Sequence, residues 1–150
     1  MPHELDKSDF HKMILDFPDQ FAAGFDLAKT APRLPGSFSS VVISGMGGSA
    51  LPGDLLAVCL RDIALRHSSS CVKVHQNRFY GFAEDVPAEG ALHFLCSYSG
   101  NTEETLESFQ KALDRQLPCI GISAGGKLEE LCHEHNIPHI KLPIPNPDFQ

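Results

Sequence analysis

The sequence predicts an α/β domain built on a parallel sheet with helices on both faces. Two observations carry this. Short, largely apolar runs alternate with stretches of helical periodicity, and two of those runs end in glycine- and hydroxyl-bearing turns that open directly into helices. Strands of 4–6 residues that are apolar along their length belong in a sheet covered on both sides.

Taken in order, residues 8–29 read as helical, with Phe10, Met13, Ile14 and Phe17 on one face, then Phe21, Phe25 and Ala28. Pro18 divides this stretch into two helices. The breaker-rich segment 31–40 reads as a loop. A strand follows at Val41–Ser44, a helix from Ala50 to about Leu65, a second strand at Val72–His75 and a third at Leu92–Cys96. The clearest helix runs from Thr102 to about Arg115 and buries Leu106, Phe109 and Leu113. Asn101 is its expected cap, with Glu104 reaching back as a capping box. Cys119–Ser123 reads as a fourth strand, Lys127–His135 as a helix and His139–Leu142 as a fifth strand. The proline-rich tail from Pro143 to Gln150 reads as a linker. No solenoid-type repeat is present.

Bulk properties narrow the function. The 150 residues suit one domain, and 42% hydrophobic with 21% charged residues is ordinary globular composition. A net charge of -7 opposes nucleic-acid binding, which needs clustered Lys and Arg. It leaves a small phosphate ester open, because neutral donors and helix ends can hold one. Five cysteines, Cys59, Cys71, Cys96, Cys119 and Cys132, show no Cys-x-x-Cys spacing and read as small hydrophobes in a reducing compartment. The N-terminus lacks an apolar signal core and no window resembles a membrane span, so the expected location is the cytoplasm, with no membrane partner.

The chemistry lies in the two turns. In open parallel sheets, ligands collect at the carboxyl ends of the strands, near the point where strand order reverses. Gly47 and Gly48 allow close backbone approach, Ser49 opens the helix beyond, and Ser97, Ser99 and Thr102 supply hydroxyls from the second turn. Each helix N-terminus favours an anion by ~0.3–1 kcal/mol. Each hydrogen bond to a charged oxygen adds ~1.5–3 kcal/mol. Millimolar affinity needs only about 4 kcal/mol, so no Lys or Arg is required.

Other readings compete. Gly45-x-Gly47-x-x-Ala50 also fits a dinucleotide fingerprint, but that requires an acidic residue ending the second strand, where His75, Gln76 and Asn77 stand. Ser99 and Thr102 could serve only as helix caps. Glu103 and Glu104 read as partners of the helix dipole, with an approach of Glu103 to a substrate as the lesser alternative. Cys132-His133-Glu134-His135 has the look of a metal cluster, yet helical spacing turns Cys132 inward and its neighbours outward. His75, ending a strand, is a further candidate for the ligand.

The pairing of Gly45-Met46-Gly47-Gly48-Ser49-Ala50 with Ser97-Tyr98-Ser99-Gly100-Asn101-Thr102-Glu103-Glu104-Thr105-Leu106 resembles the sugar isomerase (SIS) fold. More narrowly, it resembles the N-terminal SIS domain of the bifunctional phosphoglucose/phosphomannose isomerases. Gly53-Asp54-Leu55-Leu56, Gly121-Ile122-Ser123 and Gly126-Lys127-Leu128 extend the likeness over roughly residues 8–150. Pro52 stands where that family more often has a small residue, in a first helical turn that tolerates proline.

The resemblance implies a five-stranded parallel sheet in flavodoxin-like order and one SIS domain over residues 1–150, with a helical extension at about 1–30. It also implies a phosphate site at Gly47, Gly48, Ser49, Ser97, Ser99 and Thr102. The implied ligands are fructose 6-phosphate, glucose 6-phosphate and mannose 6-phosphate, interconverted with no metal and no cofactor by a homodimer of two-domain chains. The catalytic Glu, His and Lys are implied in the second SIS domain and an Arg just beyond the first. No catalytic residue is therefore expected within this chain. A non-catalytic, phosphosugar-sensing SIS module is the alternative, disfavoured by the absence of a basic recognition surface in the N-terminal helices.

Overall fold

In the computed structural model the described residues are 6, 9–67, 72–82, 86, 87 and 89–144. The chain divides into two compact units, Met1–Arg33 and Leu34–Gln150.

The first unit holds helices α1 (Phe10–Asp16) and α2 (Asp19–Lys29), broken at Pro18 as the sequence predicts. The Asp6 carboxylate accepts hydrogen bonds from the Phe10 and His11 amides, at 2.7 and 2.9 Å, and so satisfies the first donors of α1. Those amide bonds, that of His11 foremost, hold the Asp6 carboxyl below its usual pKa. Phe10, Ile14, Phe17, Phe21 and Phe25 form the expected apolar series but stand exposed.

The second unit is a five-stranded, wholly parallel sheet with the order β2-β1-β3-β4-β5. Its strands are β1 (Ser40–Gly45), β2 (Lys73–Asn77), β3 (Ala91–Cys96), β4 (Cys119–Ser123) and β5 (His139–Lys141). The flavodoxin-like order expected from the resemblance is thus observed. Helix α3 (Leu51–His67) joins β1 to β2, α4 (Glu103–Asp114) joins β3 to β4, and α5 (Gly126–Glu134) joins β4 to β5.

Side-chain alternation places these helices on opposite faces. A Cβ on Gly53 of α3 would meet Ile43 and Gln76, whereas Ser108 of α4 lies 3.2 Å from Asn77, the next residue along β2. The helices therefore cover both sides of the sheet. The core sits under α4 and α5, where Leu95, Phe109, Ala112, Cys119, Leu128 and Cys132 pack together. Gly121 permits this approach, since a Cβ there would lie 2.4 Å from the Cys132 sulfur.

Several expectations need correction. The second strand runs on to Asn77, so His75 pairs with Val42 in mid-strand and does not stand at the carboxyl end. As an edge strand bonded on one side only, β2 tolerates Lys73 and Gln76, and the sheet is not apolar throughout. The buried residues of α4 are Thr105, Ser108, Phe109 and Ala112, with Leu106 and Leu113 only partly covered at the edges. Helices α4 and α5 both end in a left-handed residue, Gln116 and Asn136, each at φ 55°. Leu117 then donates to the Ala112 carbonyl and Ile137 to that of Cys132, closing Schellman caps whose apolar residues return to the core.

Among the described residues no helix is long and apolar enough to cross a membrane. Cys59, Cys96, Cys119 and Cys132 are free thiols, and Cys71 lies outside the described residues. The tail beyond residue 144 also lies outside them.

Candidate functional site

Strand order reverses between β1 and β3, which are neighbours in the sheet although their outgoing connections diverge, α3 leading to β2 and α4 to β4. This geometry opens a crevice at the carboxyl ends of the two strands. Gly45 and Cys96 are paired there as the last residues of β1 and β3. Both glycine- and hydroxyl-bearing turns leave from that point.

The first turn, Gly47–Ala50, is a single turn of 3-10 helix that precedes α3, so Ser49 lies just ahead of the helix. Gly47 has φ +52°, in the left-handed region that favours glycine. A Cβ added to Gly47 or Gly48 would touch nothing within 4 Å, so both glycines border open space. Gly45 is the opposite case. A Cβ there would lie 2.9 Å from the carbonyl oxygens of Cys96 and Ser49, and its absence lets the two corners close together.

The Tyr98 amide donates to the Ser49 hydroxyl oxygen at 3.2 Å. Ser49 and the serine corner are therefore neighbours, and the Ser49 proton remains available to another acceptor. Within the second corner the Ser97 hydroxyl accepts from the Gly100 amide at 3.0 Å and lies 2.8 Å from the Thr102 hydroxyl. Ser97 is only 1% exposed. Ser99 stands in the open, with its hydroxyl accepting from the Asn101 amide at 3.2 Å. Thr102 is the N-cap of α4, and its side chain makes no capping bond. The first amides of that helix lack intrahelical acceptors and face the crevice end.

The expected cap is reassigned. Asn101 does not cap α4; its side-chain oxygen accepts from the Lys127 amide at 3.0 Å, in the first turn of α5. The corner after β4 thus braces the corner after β3. Ala124 donates to the Tyr98 carbonyl and Leu128 to that of Gly100, both at 2.9 Å. Gly100, at φ +72°, and Gly126, at φ +74°, make this contact possible: a Cβ on Gly100 would fall 1.8 Å from the Gly125 carbonyl oxygen.

The other candidates fall away from the crevice. Cys132 is wholly buried and its thiol is pushed up to about 12 by desolvation, while His133 and Glu134 are exposed, matching the orientation expected from helical spacing. Glu129 on the same helix pairs with Lys141 at 2.9 Å. Cys96, beside Ser97, is also pushed up to about 12 by burial and is no nucleophile. Asn77, Tyr80 and Gly81, which sequence reasoning missed, lie against α4: Asn77 and Gly81 meet Ser108 in the middle of the helix, and Tyr80 meets Glu103 in its first turn. No motif marks them, because the loop after β2 brings them there.

No family model matches the chain. It is 33% identical over 133 residues to a bifunctional phosphoglucose/phosphomannose isomerase of Caldicellulosiruptor bescii, covering 87% of this chain and 37% of that protein. The counterpart from Pyrobaculum calidifontis is 32% identical over 130 residues, with 86% and 37% covered. The chain thus spans little more than a third of the length of these curated relatives. Among solved structures, the Vibrio vulnificus NanR protein complexed with ManNAc-6P matches with a TM-score of 0.56 at 21% identity, over 93% of this chain and 55% of that one. This last likeness speaks for the fold alone. The resemblance read from the two turns is borne out by the curated relatives, and the expected α/β fold by the parallel sheet and the structural neighbour.

Proposed function

We propose that this chain, a SIS-type domain related over most of its length to the bifunctional phosphoglucose/phosphomannose isomerases, is the phosphosugar-binding half of an aldose–ketose isomerase. The reading takes fructose 6-phosphate, glucose 6-phosphate and mannose 6-phosphate as ligands. The observation that carries it is the hydrogen bond between Ser49 and Tyr98, which joins the two corners over the reversal of strand order.

In this reading the phosphate sits among Gly47, Gly48, Ser49, Ser99 and Thr102. Ser49, Ser99 and Thr102 donate hydroxyl protons, and the amides opening α4 complete the anion seat. Ser97, buried and bonded to Gly100 and Thr102, belongs to the same seat by holding the corner in shape. The open space beside Gly47 and Gly48 leaves room for phosphate oxygens. The proton transfer beside a carbonyl that isomerisation requires is assigned to a second SIS domain, as is help in opening the sugar ring. A homodimer of the full-length form and a cytoplasmic location complete the proposal.

Thermal denaturation with and without fructose 6-phosphate tests it. A ligand that binds only the folded state raises the melting temperature in proportion to its occupancy. A saturable rise with fructose 6-phosphate, absent with fructose, supports the proposal; an unchanged melting temperature at tens of millimolar ligand refutes it.

A further inference from the structure

Beside the phosphate corner lies a second group of residues, brought there by the end of β2. Asn77 is 1% exposed, and its side-chain amide donates to the Gly81 carbonyl at 2.6 Å. The same nitrogen lies 3.3 Å from the Ser44 hydroxyl and 3.2 Å from that of Ser108. The Ser108 hydroxyl is also 2.9 Å from the Gly81 carbonyl. Gly81, at φ +67°, is thereby clamped between β2 and α4. Phe82 continues into the core, with its ring 4.9 Å from that of His93.

With Gly81 and Phe82 fixed, Tyr80 is carried to the first turn of α4, where its hydroxyl donates to Glu103 at 3.3 Å. Glu103 directly follows Thr102. Tyr80 and Glu103 are both exposed, so neither owes its position to burial.

We propose that Tyr80 and Glu103 read the sugar of the phosphosugar, orienting the ligand with its phosphate at Ser99 and Thr102 and its polyol chain over this pair. The proposal rests on the phosphosugar reading above. A carboxylate accepts hydrogen bonds and repels a phosphate, so Glu103 suits the hydroxyl-bearing end of the ligand and disfavours the reverse orientation. Tyr80 occupies one carboxylate oxygen and leaves the other for a sugar hydroxyl. Its ring adds an apolar surface for the sugar C–H groups. Nearby carboxylates, Glu104 foremost, raise the Tyr80 pKa above its ordinary value. The implied substrate class is a polyhydroxylated phosphate monoester, in preference to inorganic phosphate or a lipid phosphate.

Calorimetric titration of the full chain and of its Tyr80→Phe and Glu103→Gln variants, with fructose 6-phosphate and with inorganic phosphate, tests this. Each variant should lose roughly 10-fold in affinity for fructose 6-phosphate, the cost of one hydrogen bond to a charged group. Inorganic phosphate should bind both variants as well as it binds the unaltered chain. Unchanged affinity for fructose 6-phosphate in both variants overturns the proposal alone, and so does an equal loss for both ligands. If the unaltered chain binds neither ligand, the phosphosugar reading falls with it.

Discussion

The hydroxyl of Ser49 and the backbone amide of Tyr98 meet at 3.2 Å, although 49 residues separate them in sequence. The bond joins the turn after β1 to the turn after β3. It also leaves the Ser49 proton free to donate to a phosphate oxygen. Ser49→Ala removes both functions. The expected cost is about 1 kcal/mol of stability, typical of one hydrogen bond, together with roughly a 10-fold loss of affinity for fructose 6-phosphate. Urea denaturation and calorimetric titration measure the two effects separately. Retention of full affinity would remove Ser49 from the site.

Ser99→Ala isolates the proposed ligand contact. Its hydroxyl is exposed, accepts from the nearby Asn101 amide at 3.2 Å and lies 3.5 Å from the Ser97 hydroxyl, two long local contacts on which folding depends little. Stability should stay within about 0.5 kcal/mol of the parent. Affinity for fructose 6-phosphate should fall roughly 10- to 100-fold with the lost charge-assisted bond. Calorimetry on the folded variant checks both halves of this statement.

Two glycines of the site should respond in opposite ways. Gly48 borders open space, so Gly48→Ala is expected to cost less than about 1 kcal/mol while placing a methyl group in the proposed anion seat and weakening ligand binding. Gly100→Ala drives a methyl into the Gly125 carbonyl oxygen at a positive φ, and is expected to cost more than about 2 kcal/mol. Equilibrium unfolding distinguishes them. A Gly100→Ala protein as stable as the parent would contradict the described packing of the second corner on the third.

Acid should weaken the domain before its carboxylates titrate. His93 lies wholly buried in β3, and desolvation lowers its pKa from 6.5 to about 4, against a weaker pull upward from the Pro87 carbonyl. The unfolded chain therefore takes up this proton first. The contribution is fully present above about pH 6.5 and is lost as the pH falls towards 4, on the order of 3 kcal/mol in all. Denaturant midpoints measured from pH 7 to pH 4 should fall for the parent and fall less for His93→Leu. Parallel curves would show that His93 is not the group responsible.

Much of this architecture is legible in the sequence because it rests on local pattern. The apolar runs of β1, β3 and β4 and the break at Pro18 coincide with the observed elements to within a residue or two. Both corners could be found because glycines and hydroxyls cluster where a strand meets a helix. What escaped depends on tertiary partners. Gln76 and Asn77 look like loop residues, yet one side of β2 pairs with β1 and draws them into the sheet. Asn101 has the right chemistry for a cap, and only the approach of the corner after β4 decides that it serves α5 and not α4. Tyr80 bears no motif. Its place beside Glu103 follows from the clamp that Asn77 of β2 and Ser108 of α4 put on Gly81.

The convergence of the two corners on one phosphosugar is tested most directly by following backbone amides in a two-dimensional NMR titration with fructose 6-phosphate. The account predicts that the amides of Gly48, Ser49, Ser99, Gly100 and Thr102 shift together along a single saturation curve, with those of α5 beyond its first turn unmoved. Shifts confined to one corner, or two corners saturating at different ligand concentrations, would contradict it.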